Sequence, residues 1–331
     1  MATRIPGFID LQVNGYIGTE FSELSLTTES FVSACTAMLA TGSAGILVTV
    51  VTAPLAVYER NLPIIAAALE RPELRGRVLG IHLEGPFLCR LPGARGAHNE
   101  AYMRDGDVGL LQRMLDLAGG HVRLLTVAAE AVGAEAITRH AVARGVTVSV
   151  GHSMPGPDDL RRMVDAGATA FTHLGNGLPN LIHRHHNPIF AALANDDLTV
   201  MIITDGHHLP AEAIKTMIRA KGVERIVVVS DAAHLAGMPP GRYDTADNEI
   251  ILEPSGLLHN PTKQCLVGSS ATMFQCMNYL ASLEILGLDD MLAVGVANPL
   301  RLIGVAPAAI RGPGAVRYDP DARRFTLCPV V

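Results

Sequence analysis

The sequence predicts an α/β protein folded as a closed (β/α)8 TIM barrel, and three observations support this fold class. Eight short apolar runs rich in β-branched residues recur along the 331-residue chain, which is the pattern of parallel strands buried on both faces. Helical patterns separate these runs, and several of them end in glycine. Four of the runs end in Glu, His or Asp, which is typical of an active site at the carboxyl mouth of such a barrel.

Strands and helices are predicted to alternate along most of the chain. The predicted strands are Phe8–Val13, Gly45–Val51, Val78–Leu83, Val122–Val127, Val146–Val150, Ala170–Thr172, Val200–Thr204 and Ile226–Val229. The predicted helices between them are Glu29–Ala40, Leu55–Ala68, Gly106–Leu117, Ala134–Ala143, Pro157–Ala166 and Ala211–Ala220. An open Rossmann-like sheet is the alternative fold, but no GxGxxG motif opens any of these helices.

The region after the eighth strand has a different pattern. Residues 242–265 hold short stretches separated by turn residues, which predicts a β excursion in the last loop. Helices are predicted at Ala271–Leu286 and near Met291–Ile303. We therefore expect a catalytic barrel over residues 1–310, including the excursion, and a C-terminal tail over residues 311–331 with possible short strands.

Composition excludes several classes of protein. Hydrophobic residues make up 49% of the chain, enough for a large core, and the net charge is -6 without a basic stripe, so nucleic acid is not an expected partner. No apolar run reaches the roughly 18 residues that cross a membrane, so no membrane partner is expected either. The N-terminal residues lack the apolar segment of a signal peptide, and the five scattered cysteines indicate reduced thiols. A cytoplasmic location is therefore expected.

Three residues at predicted strand ends are candidate metal ligands. Glu84, His152 and His173 end the third, fifth and sixth strands, and one carboxylate with two imidazoles leaves an open position for water, as in many catalytic zinc sites. The alternative is that each is an ordinary polar residue at a strand end. Gln12 and Asn14 end the first strand, where many metal-dependent barrel hydrolases carry a His-x-His pair. Because neutral amides are weak ligands, one metal ion is expected rather than two.

Asp231 ends the eighth strand and is the candidate general base. A carboxylate opposite the metal is placed to take a proton from the attacking water and later give it to a leaving group. Its alternative role is to cap the following segment. Gly268 and Ser269 precede a predicted helix and could offer backbone N–H groups to a ligand.

Cationic side chains on the other predicted mouth loops favour an anionic substrate. Arg184 and His208 follow the sixth and seventh strands, and His98 follows the third. Guanidinium groups bind phosphate through paired hydrogen bonds. Ordinary solvated loop charge remains the alternative, and the histidines of the segment His183–His186 could instead form a metal-binding tract.

A set of motifs follows in order along nearly the whole chain. They are GFIDLQVNG at Gly7–Gly15, HLEGP at His82–Pro86, RGAHN at Arg95–Asn99, GHS at Gly151–Ser153, THLGNG at Thr172–Gly177, DGHH at Asp205–His208, SDA at Ser230–Ala232 and LVGSSATM at Leu266–Met273. Each motif alone is unspecific. In combination they resemble the N-acetylglucosamine-6-phosphate deacetylase family of the amidohydrolase superfamily.

The resemblance implies a barrel of the metal-dependent hydrolase type and assigns roles to its residues. Glu84, His152 and His173 would hold one divalent metal, with zinc the first choice and iron, manganese or cobalt as alternatives. Asp231 would act as general base and acid, and His98 would help to polarise the acetyl carbonyl. The residues implied to contact the substrate are Asn176 and Gly177, with Arg184 and His208 at its phosphate. A homodimer is also implied, because family members can borrow a phosphate-binding residue from a neighbouring subunit.

The chain departs from the family pattern in two places. It starts almost at the first strand, so the small β-sandwich that usually accompanies the barrel is expected to be reduced or absent. His185, His186 and Asn187 replace the usual acidic and proline residues where the distal group of the sugar would bind. The predicted reaction is therefore metal-dependent hydrolysis of an N-acetyl amino sugar, with N-acetylglucosamine 6-phosphate as the first candidate.

Three alternatives stay open at this point. The substrate could be another N-acyl amino sugar, unphosphorylated or part of a larger metabolite. The protein could bind a sugar phosphate without catalysis. A phosphate-binding isomerase or aldolase is the third, but no lysine ends any predicted strand.

Overall fold

The computed structural model describes residues 3–244, 249–311 and 316–328, and its centre is a sheet of eight parallel strands. The strands pair in chain order, each with the next. They are β1 (Phe8–Val13), β2 (Ser43–Val51), β3 (Val78–Glu84), β4 (Val122–Val127), β5 (Thr147–Val150), β6 (Ala170–Phe171), β7 (Thr199–Ile203) and β8 (Ile226–Val229). The predicted eightfold parallel barrel is confirmed.

The first and last strands close the barrel through a seam in which side chains supplement sparse backbone pairing. Val13 and Ala232 form an isolated parallel bridge, and the N–H of Asn14 donates to the carbonyl of Ala232 at 2.8 Å. Further down the seam, the backbone N–H and the hydroxyl of Ser230 both donate to the carboxylate of Asp10, which is fully buried. We call this contact the β1–β8 seam.

Helices connect the strands and cover the barrel. They are α1 (Thr28–Ala40), α2 (Leu55–Leu69), α3 (Val108–Leu117), α4 (Ala134–Ala143), α5 (Pro157–Asp165), α6 (Pro188–Ala194) and α7 (Ala211–Lys221). The sequence pattern had not indicated α6, because a helix of seven residues is too short to display a helical period. Asn187 caps α6 by accepting from the N–H of Phe190, and Pro188 begins it.

Several helices begin or end a few residues away from the predicted positions, in some cases because a capping side chain fixes the boundary. α3 begins at Val108 rather than Gly106, because Asp107 accepts from the N–H groups of Gly109 and Leu110. After β8, helix α8 spans Met273–Ser282 and is shorter than the predicted 271–286. The last predicted helix is interrupted: Leu288–Leu292, a π-helical turn at Ala293–Ala297, then Asn298–Leu302.

Three small antiparallel sheets accompany the barrel in the described part of the chain, the smallest of which pairs Gly15–Tyr16 with Thr19–Glu20. The excursion after β8 contains the strands Gly241–Asp244, Glu249–Leu252, Leu258–Asn260 and Cys265–Leu266, with residues 245–248 of the predicted segment outside the described part. The strand Thr3–Ile5 pairs with Val316–Asp319, which pairs with Arg324–Leu327. Of the predicted tail, residues 312–315 and 329–331 lie outside the described part. Within the described residues, no helix combines the length and apolarity that spanning a bilayer requires.

The strands of the barrel bury both apolar and polar side chains. Leu47, Leu124 and Met201 are fully buried and belong to one apolar cluster. We define the hydroxyl layer as the buried residues Thr49, His82, Thr126, Ser149 and Thr172, which are linked by hydrogen-bonding contacts. His82 lies two residues before Glu84 and Thr172 directly precedes His173, so this layer adjoins the predicted site residues.

Candidate active site

A cleft of about 930 Å³ opens at the carboxyl ends of the strands. Its size is near the upper end of the range for small-molecule sites. Most of the predicted site residues line it: Glu84, His98, His152, His173, Asn176, Gly177, His208, Asp231 and Gly268. The structure therefore brings together residues from five strand ends or the loops after them and from the segment that precedes α8.

The three predicted metal ligands converge at the base of this cleft. The Nε2 atom of His173 lies 3.0 Å from Oε1 of Glu84 and 3.1 Å from Nε2 of His152. Nε2 of His152 lies 3.4 Å from the same Glu84 oxygen. All three side chains are buried, with at most 9% exposed. The triangle of ligand atoms is thus compact and shielded from bulk water.

The size of this triangle fits a tetrahedral metal site. Zinc–nitrogen and zinc–oxygen bonds of about 2.0–2.1 Å in tetrahedral geometry place neighbouring ligand atoms about 3.3–3.4 Å apart. The measured separations of 3.0, 3.1 and 3.4 Å lie close to that value. One carboxylate oxygen and two imidazole nitrogens are also a donor set suited to a divalent transition metal.

His98 provides an additional nitrogen atom at this cluster. Its Nε2 lies 3.1 Å from Nε2 of His152, with the two rings edge to face and their centroids 4.3 Å apart. Among the described residues, Glu84, His98 and His152 also offer ligand atoms within 4.8 Å of one another. His98 can therefore be read as a metal ligand or as a group beside the metal.

Three of the predicted site residues share an unusual backbone conformation. His152, His173 and Asp231 have φ values of 46°, 30° and 53°, in the left-handed region that non-glycine residues seldom occupy. Each lies two residues beyond the last residue of its strand, β5, β6 and β8 respectively. Backbone strain of this kind is concentrated at functional sites, and here it occurs at the same point of three strand ends.

The two imidazoles beside Glu84 favour the ionised form of its carboxylate. Burial opposes ionisation of Glu84, but hydrogen bonds and charge from His152 and His173 outweigh it and hold its pKa well below the usual range. Burial likewise opposes protonation of His173, but Glu84 raises its pKa overall. Burial, with a contribution from His152, lowers the pKa of His98 to about 3. His98 is therefore neutral at pH 7 and has one N–H to donate.

Asp231 lies across the seam from the amides of β1. The Asn14 Nδ2 group donates to Oδ1 of Asp231 at 2.8 Å. Burial, followed by the negative charge of Glu84, raises the pKa of Asp231 to about 6. A carboxylate with its pKa near neutrality can both accept and return a proton, which is what a general base and acid must do.

Gln12 occupies the position next to the ligand carboxylate. Its Nε2 donates to Oε1 of Glu84 at 2.9 Å, the same oxygen that the two imidazoles approach. Its own Oε1 is buried without a partner among the described residues, as is Oδ1 of Asn14. The two amides thus orient carboxylates, a role that the sequence did not reveal.

The hydroxyl layer continues the hydrogen-bonding network beneath the ligands, and sequence reasoning missed it. Nε2 of His82 lies 2.8 Å from Oγ1 of Thr126, which lies 2.8 Å from Oγ1 of Thr172. Ser149 Oγ lies 2.6 Å from the same Thr172 oxygen. Thr172 directly precedes His173, and Thr126 pairs with Glu84 across β3 and β4. The one available signal was a histidine two residues before Glu84 in the same strand.

The residues predicted to contact a substrate fall into different environments. Asn176 lines the cleft and its Nδ2 is buried without a partner among the described residues, so it has a donor to offer. A Cβ atom on Gly177 would lie 2.9 Å from Nδ1 of His152, which makes this glycine part of the wall behind a ligand. His208 is fixed by a 2.8 Å contact from its Nδ1 to Oδ2 of Asp205.

The other residues predicted to contact the substrate differ in whether they reach the cleft. Gly268 lines the cleft, and a Cβ there would lie 2.8 Å from the carbonyl of Asp231. Ser269 is buried; its N–H donates to that carbonyl and its hydroxyl to Asp205. Arg184 is exposed and does not line the cleft of this chain, so its role at a phosphate stays a prediction.

No family model matches the chain, but curated relatives indicate its family. The N-acetylglucosamine-6-phosphate deacetylase of Bos taurus is 34% identical over 330 residues, which cover 96% of this chain and 77% of the bovine protein. The N-acetylgalactosamine-6-phosphate deacetylase of Shewanella sp. (strain ANA-3) is 32% identical over 303 residues, which cover 91% and 74%.

Solved structures agree with these relatives. A mutant N-acetyl-D-glucosamine-6-phosphate deacetylase from Mycobacterium smegmatis, in complex with N-acetyl-D-glucosamine-6-phosphate, has a TM-score of 0.86 at 32% identity and covers 98% of this chain and 84% of its own. The N-acetylglucosamine-6-phosphate deacetylase from Thermotoga maritima has a TM-score of 0.83 at 25% identity, with coverages of 98% and 86%. The resemblance noted from the motifs is confirmed, and the chain belongs to the N-acetylglucosamine-6-phosphate deacetylase family of the amidohydrolase superfamily.

Proposed function

We propose that this protein hydrolyses the N-acetyl amide of an amino sugar, with N-acetylglucosamine 6-phosphate as substrate and glucosamine 6-phosphate and acetate as products. The observation that carries the proposal is the convergence of Glu84, His152 and His173 with Asp231 in one cleft. A site that only bound a sugar phosphate would need no general base. Family membership supports the same reaction class.

One divalent metal ion, with zinc as first choice, is proposed to bind Glu84, His152 and His173. The compact, buried triangle of ligand atoms supports this assignment, and Gln12 and Asn14 stand where a second metal would need histidines. When bound, such an ion supplies Lewis acidity, which polarises the amide carbonyl and makes water a better nucleophile at neutral pH.

Asp231 is proposed to move the proton in both halves of the reaction. In the first half its carboxylate takes a proton from the attacking water, whose oxygen forms a bond to the carbonyl carbon. In the second half it gives that proton to the amide nitrogen as the carbon–nitrogen bond breaks, which releases the amine and acetate. Asn14 holds Oδ1 of Asp231 and so orients the other oxygen for this task.

His98 and Asn176 are proposed to orient the substrate. The neutral imidazole of His98 would donate its N–H to the carbonyl oxygen, where negative charge develops in the transition state. The unpartnered Nδ2 of Asn176 would donate to the sugar or its phosphate. Gly177 and Gly268 would contribute close backbone surfaces, and His208, held by Asp205, would contact the phosphate.

A second candidate substrate is N-acetylgalactosamine 6-phosphate. One relative that is 32% identical over 91% of this chain is an N-acetylgalactosamine-6-phosphate deacetylase, close to the identity of the N-acetylglucosamine-6-phosphate deacetylases. The two sugars differ only in the configuration of one ring hydroxyl. They undergo the same reaction, so the proposed residue roles are unchanged.

Acetate release by the purified, metal-loaded protein tests the proposal. The substrates to compare are the 6-phosphates of N-acetylglucosamine and N-acetylgalactosamine and the two unphosphorylated sugars. Preferred hydrolysis of one 6-phosphate supports the proposal and selects the sugar. Equal hydrolysis without the phosphate favours a wider N-acyl amino-sugar deacetylase, and binding without any acetate release favours a silent sugar-phosphate-binding protein.

We also propose a homodimer located in the cytoplasm. The proposal of a dimer rests on the family resemblance, because family members can borrow a phosphate-binding residue from a neighbouring subunit, and on Arg184, which is exposed and lies outside the cleft of its own chain. Light scattering of the protein at micromolar concentration tests this association, and a monomer would contradict it.

A further inference from the structure

Backbone groups of neighbouring loops hold His152 at its ring and at its carbonyl. Nδ1 of the ring lies 2.8 Å from the carbonyl oxygen of Ala94, so Nδ1 carries the proton and Nε2 keeps a lone pair for the metal-binding triangle. The N–H of Cys89 donates to the carbonyl of His152 at 3.0 Å. Nδ1 of His173, by contrast, is buried without a partner among the described residues. Of the two imidazole ligands, His152 is therefore the one whose ring is oriented by a hydrogen bond.

The backbone conformation of His152 also depends on the residues that follow it. Its φ of 46° lies in the left-handed region, which a non-glycine residue keeps only where neighbouring contacts impose it. The next residue, Ser153, donates its hydroxyl to Oε2 of Glu130. The N–H of Met154 donates to Oε1 of the same carboxylate at 2.6 Å. Each oxygen of Glu130 thus holds one of the two residues after His152.

Glu130 and Ser153 occupy equivalent positions beyond two paired strands. Val127 pairs with Val150 where β4 and β5 end, and Glu130 and Ser153 lie three residues further along the chain from each. The buried Ser153 hydroxyl also accepts from the N–H of Ala129 at 3.0 Å. Side chains therefore continue the contact between the two strands beyond their last residue pair, and Glu130 joins the end of β4 to the residue next to the ligand.

The thiol of Cys89 makes a further contact with Glu130. Burial, followed by a hydrogen bond to Glu130, raises the pKa of Cys89 to about 11, so the thiol keeps its proton at pH 7 and can donate it to the carboxylate. The backbone of the same cysteine contacts His152, as described above. Glu130 therefore links the loop after β3, the end of β4 and the turn after β5 beside one metal ligand.

We propose that Glu130 is a positioning residue that holds His152 in the orientation that binds the metal ion. Within the described part of the chain, Glu130 is neither in the ligand triangle nor lining the cleft, so it acts through Ser153 and Met154. A carboxylate suits this role because both of its oxygens accept and it has no hydrogen to oppose a hydroxyl or an N–H. The inference rests on the metal site of the proposed function.

The test measures the zinc affinity of the folded, metal-free proteins by competition with a chelator of known affinity. Wild type is compared with Glu130→Ala, Glu130→Gln and Glu212→Ala. Glutamine keeps the length of the side chain and one acceptor oxygen, and Glu212, exposed on α7, is the matched control for the loss of one carboxylate elsewhere. Urea denaturation of the same metal-free proteins measures their stability separately. Glu130 is itself exposed, so its replacement leaves the core unchanged.

We expect Glu130→Ala to weaken zinc binding about tenfold to hundredfold, the usual effect of losing a group that orients a metal ligand. Glu130→Gln should lose less, because its amide oxygen can still accept from Met154, and Glu212→Ala should bind zinc as wild type does. Wild-type zinc affinity in Glu130→Ala would overturn the inference even if urea unfolded that variant more easily, because the carboxylate would then support the fold alone. Equal losses in Glu130→Ala and Glu212→Ala would overturn it as well.

Acetate release separates this inference from the proposed function. A wild-type protein that binds zinc but releases no acetate contradicts the proposed reaction, whereas weaker zinc binding by Glu130→Ala still supports the positioning role. A wild-type protein that releases acetate, with zinc bound equally tightly by Glu130→Ala, overturns the positioning role alone. A wild-type protein that binds no divalent metal ion overturns both.

Discussion

At the scale of single residues, His173 and His98 are both near enough to His152 to complete a metal-binding set with it and Glu84. Their Nε2 atoms lie equally far from Nε2 of His152, at 3.1 Å, but His173 also lies 3.0 Å from Glu84. We expect His173→Ala to lose the metal and His98→Ala to retain near one equivalent while losing turnover. Metal analysis after gel filtration measures this directly. The assignment would be wrong if His98→Ala lost the metal and His173→Ala kept it.

Asp231→Asn separates proton transfer from metal binding. Asp231 is not part of the ligand triangle, so the variant should keep its metal. General base catalysis contributes about 10²–10⁴-fold, and a residue that acts in both halves of the reaction should lie at the upper end. Turnover should therefore fall by at least three orders of magnitude at unchanged metal content. A variant within tenfold of wild type would remove Asp231 from the mechanism.

At the scale of elements, three strands of the barrel end in the same kind of turn, and the residue at each turn lines the cleft. β5, β6 and β8 each continue for two residues into a left-handed position occupied by a site residue. The strands themselves were predictable, because continuous apolar runs identify buried parallel strands. The turns were not predictable, since non-glycine residues seldom adopt positive φ and no glycine occupies these positions.

The hydroxyl layer was hidden for a related reason. Threonine and serine within a strand fit the general composition of strands, so their sequence gives no sign that they bond to one another. Their contacts depend on the register of β3 to β6, which only the folded barrel defines. The sequence could thus predict that the candidate site residues lie together at the strand ends, whereas the hydroxyl layer beneath them could not be predicted.

His82→Phe tests what this layer contributes. The ring is fully buried, and the variant would remove its contacts with the hydroxyls of Thr126 and Thr49, each of which keeps one other partner. We expect the free energy of unfolding to fall by about 1–3 kcal/mol, the net contribution of two lost hydrogen bonds at about 0.5–1.5 kcal/mol each. Urea denaturation measures it, with His121→Phe, a partly exposed position, as control. Equal stabilities for the two variants would mean that the layer is energetically neutral.

At the scale of the whole molecule, the β1–β8 seam couples closure of the barrel to pH. Burial raises the pKa of Asp10 to about 6, although hydrogen bonds from Ser230 oppose the shift. Asp10 therefore binds its proton more tightly in the folded protein than in the unfolded chain. Its favourable contribution to folding is complete below about pH 4 and is lost as the pH rises through about 6.

Asp10→Asn isolates this effect. Asparagine keeps an acceptor for the N–H of Ser230 but does not ionise. The shift of about two pKa units corresponds to about 3 kcal/mol, so the stability of wild type relative to the variant should decline by up to that amount between pH 4 and pH 7. Urea denaturation at a series of pH values gives the difference. A pH-independent difference would show that Asp10 does not titrate in this range.

The orientation of Asp231 depends on contact between the first and the last strand of the barrel across the same seam. Asn14 on the β1 side holds the carboxylate of Asp231 on the β8 side, and the two residues are 217 positions apart in the chain. Contacts of such long range form late, because the intervening chain must first be brought into place. A partly folded barrel can therefore acquire its strands and helices, and even its metal triangle, without a correctly oriented base. During refolding from denaturant, recovery of far-ultraviolet circular dichroism should precede recovery of turnover, so that enzymatic activity reports completion of the last strand rather than formation of the first.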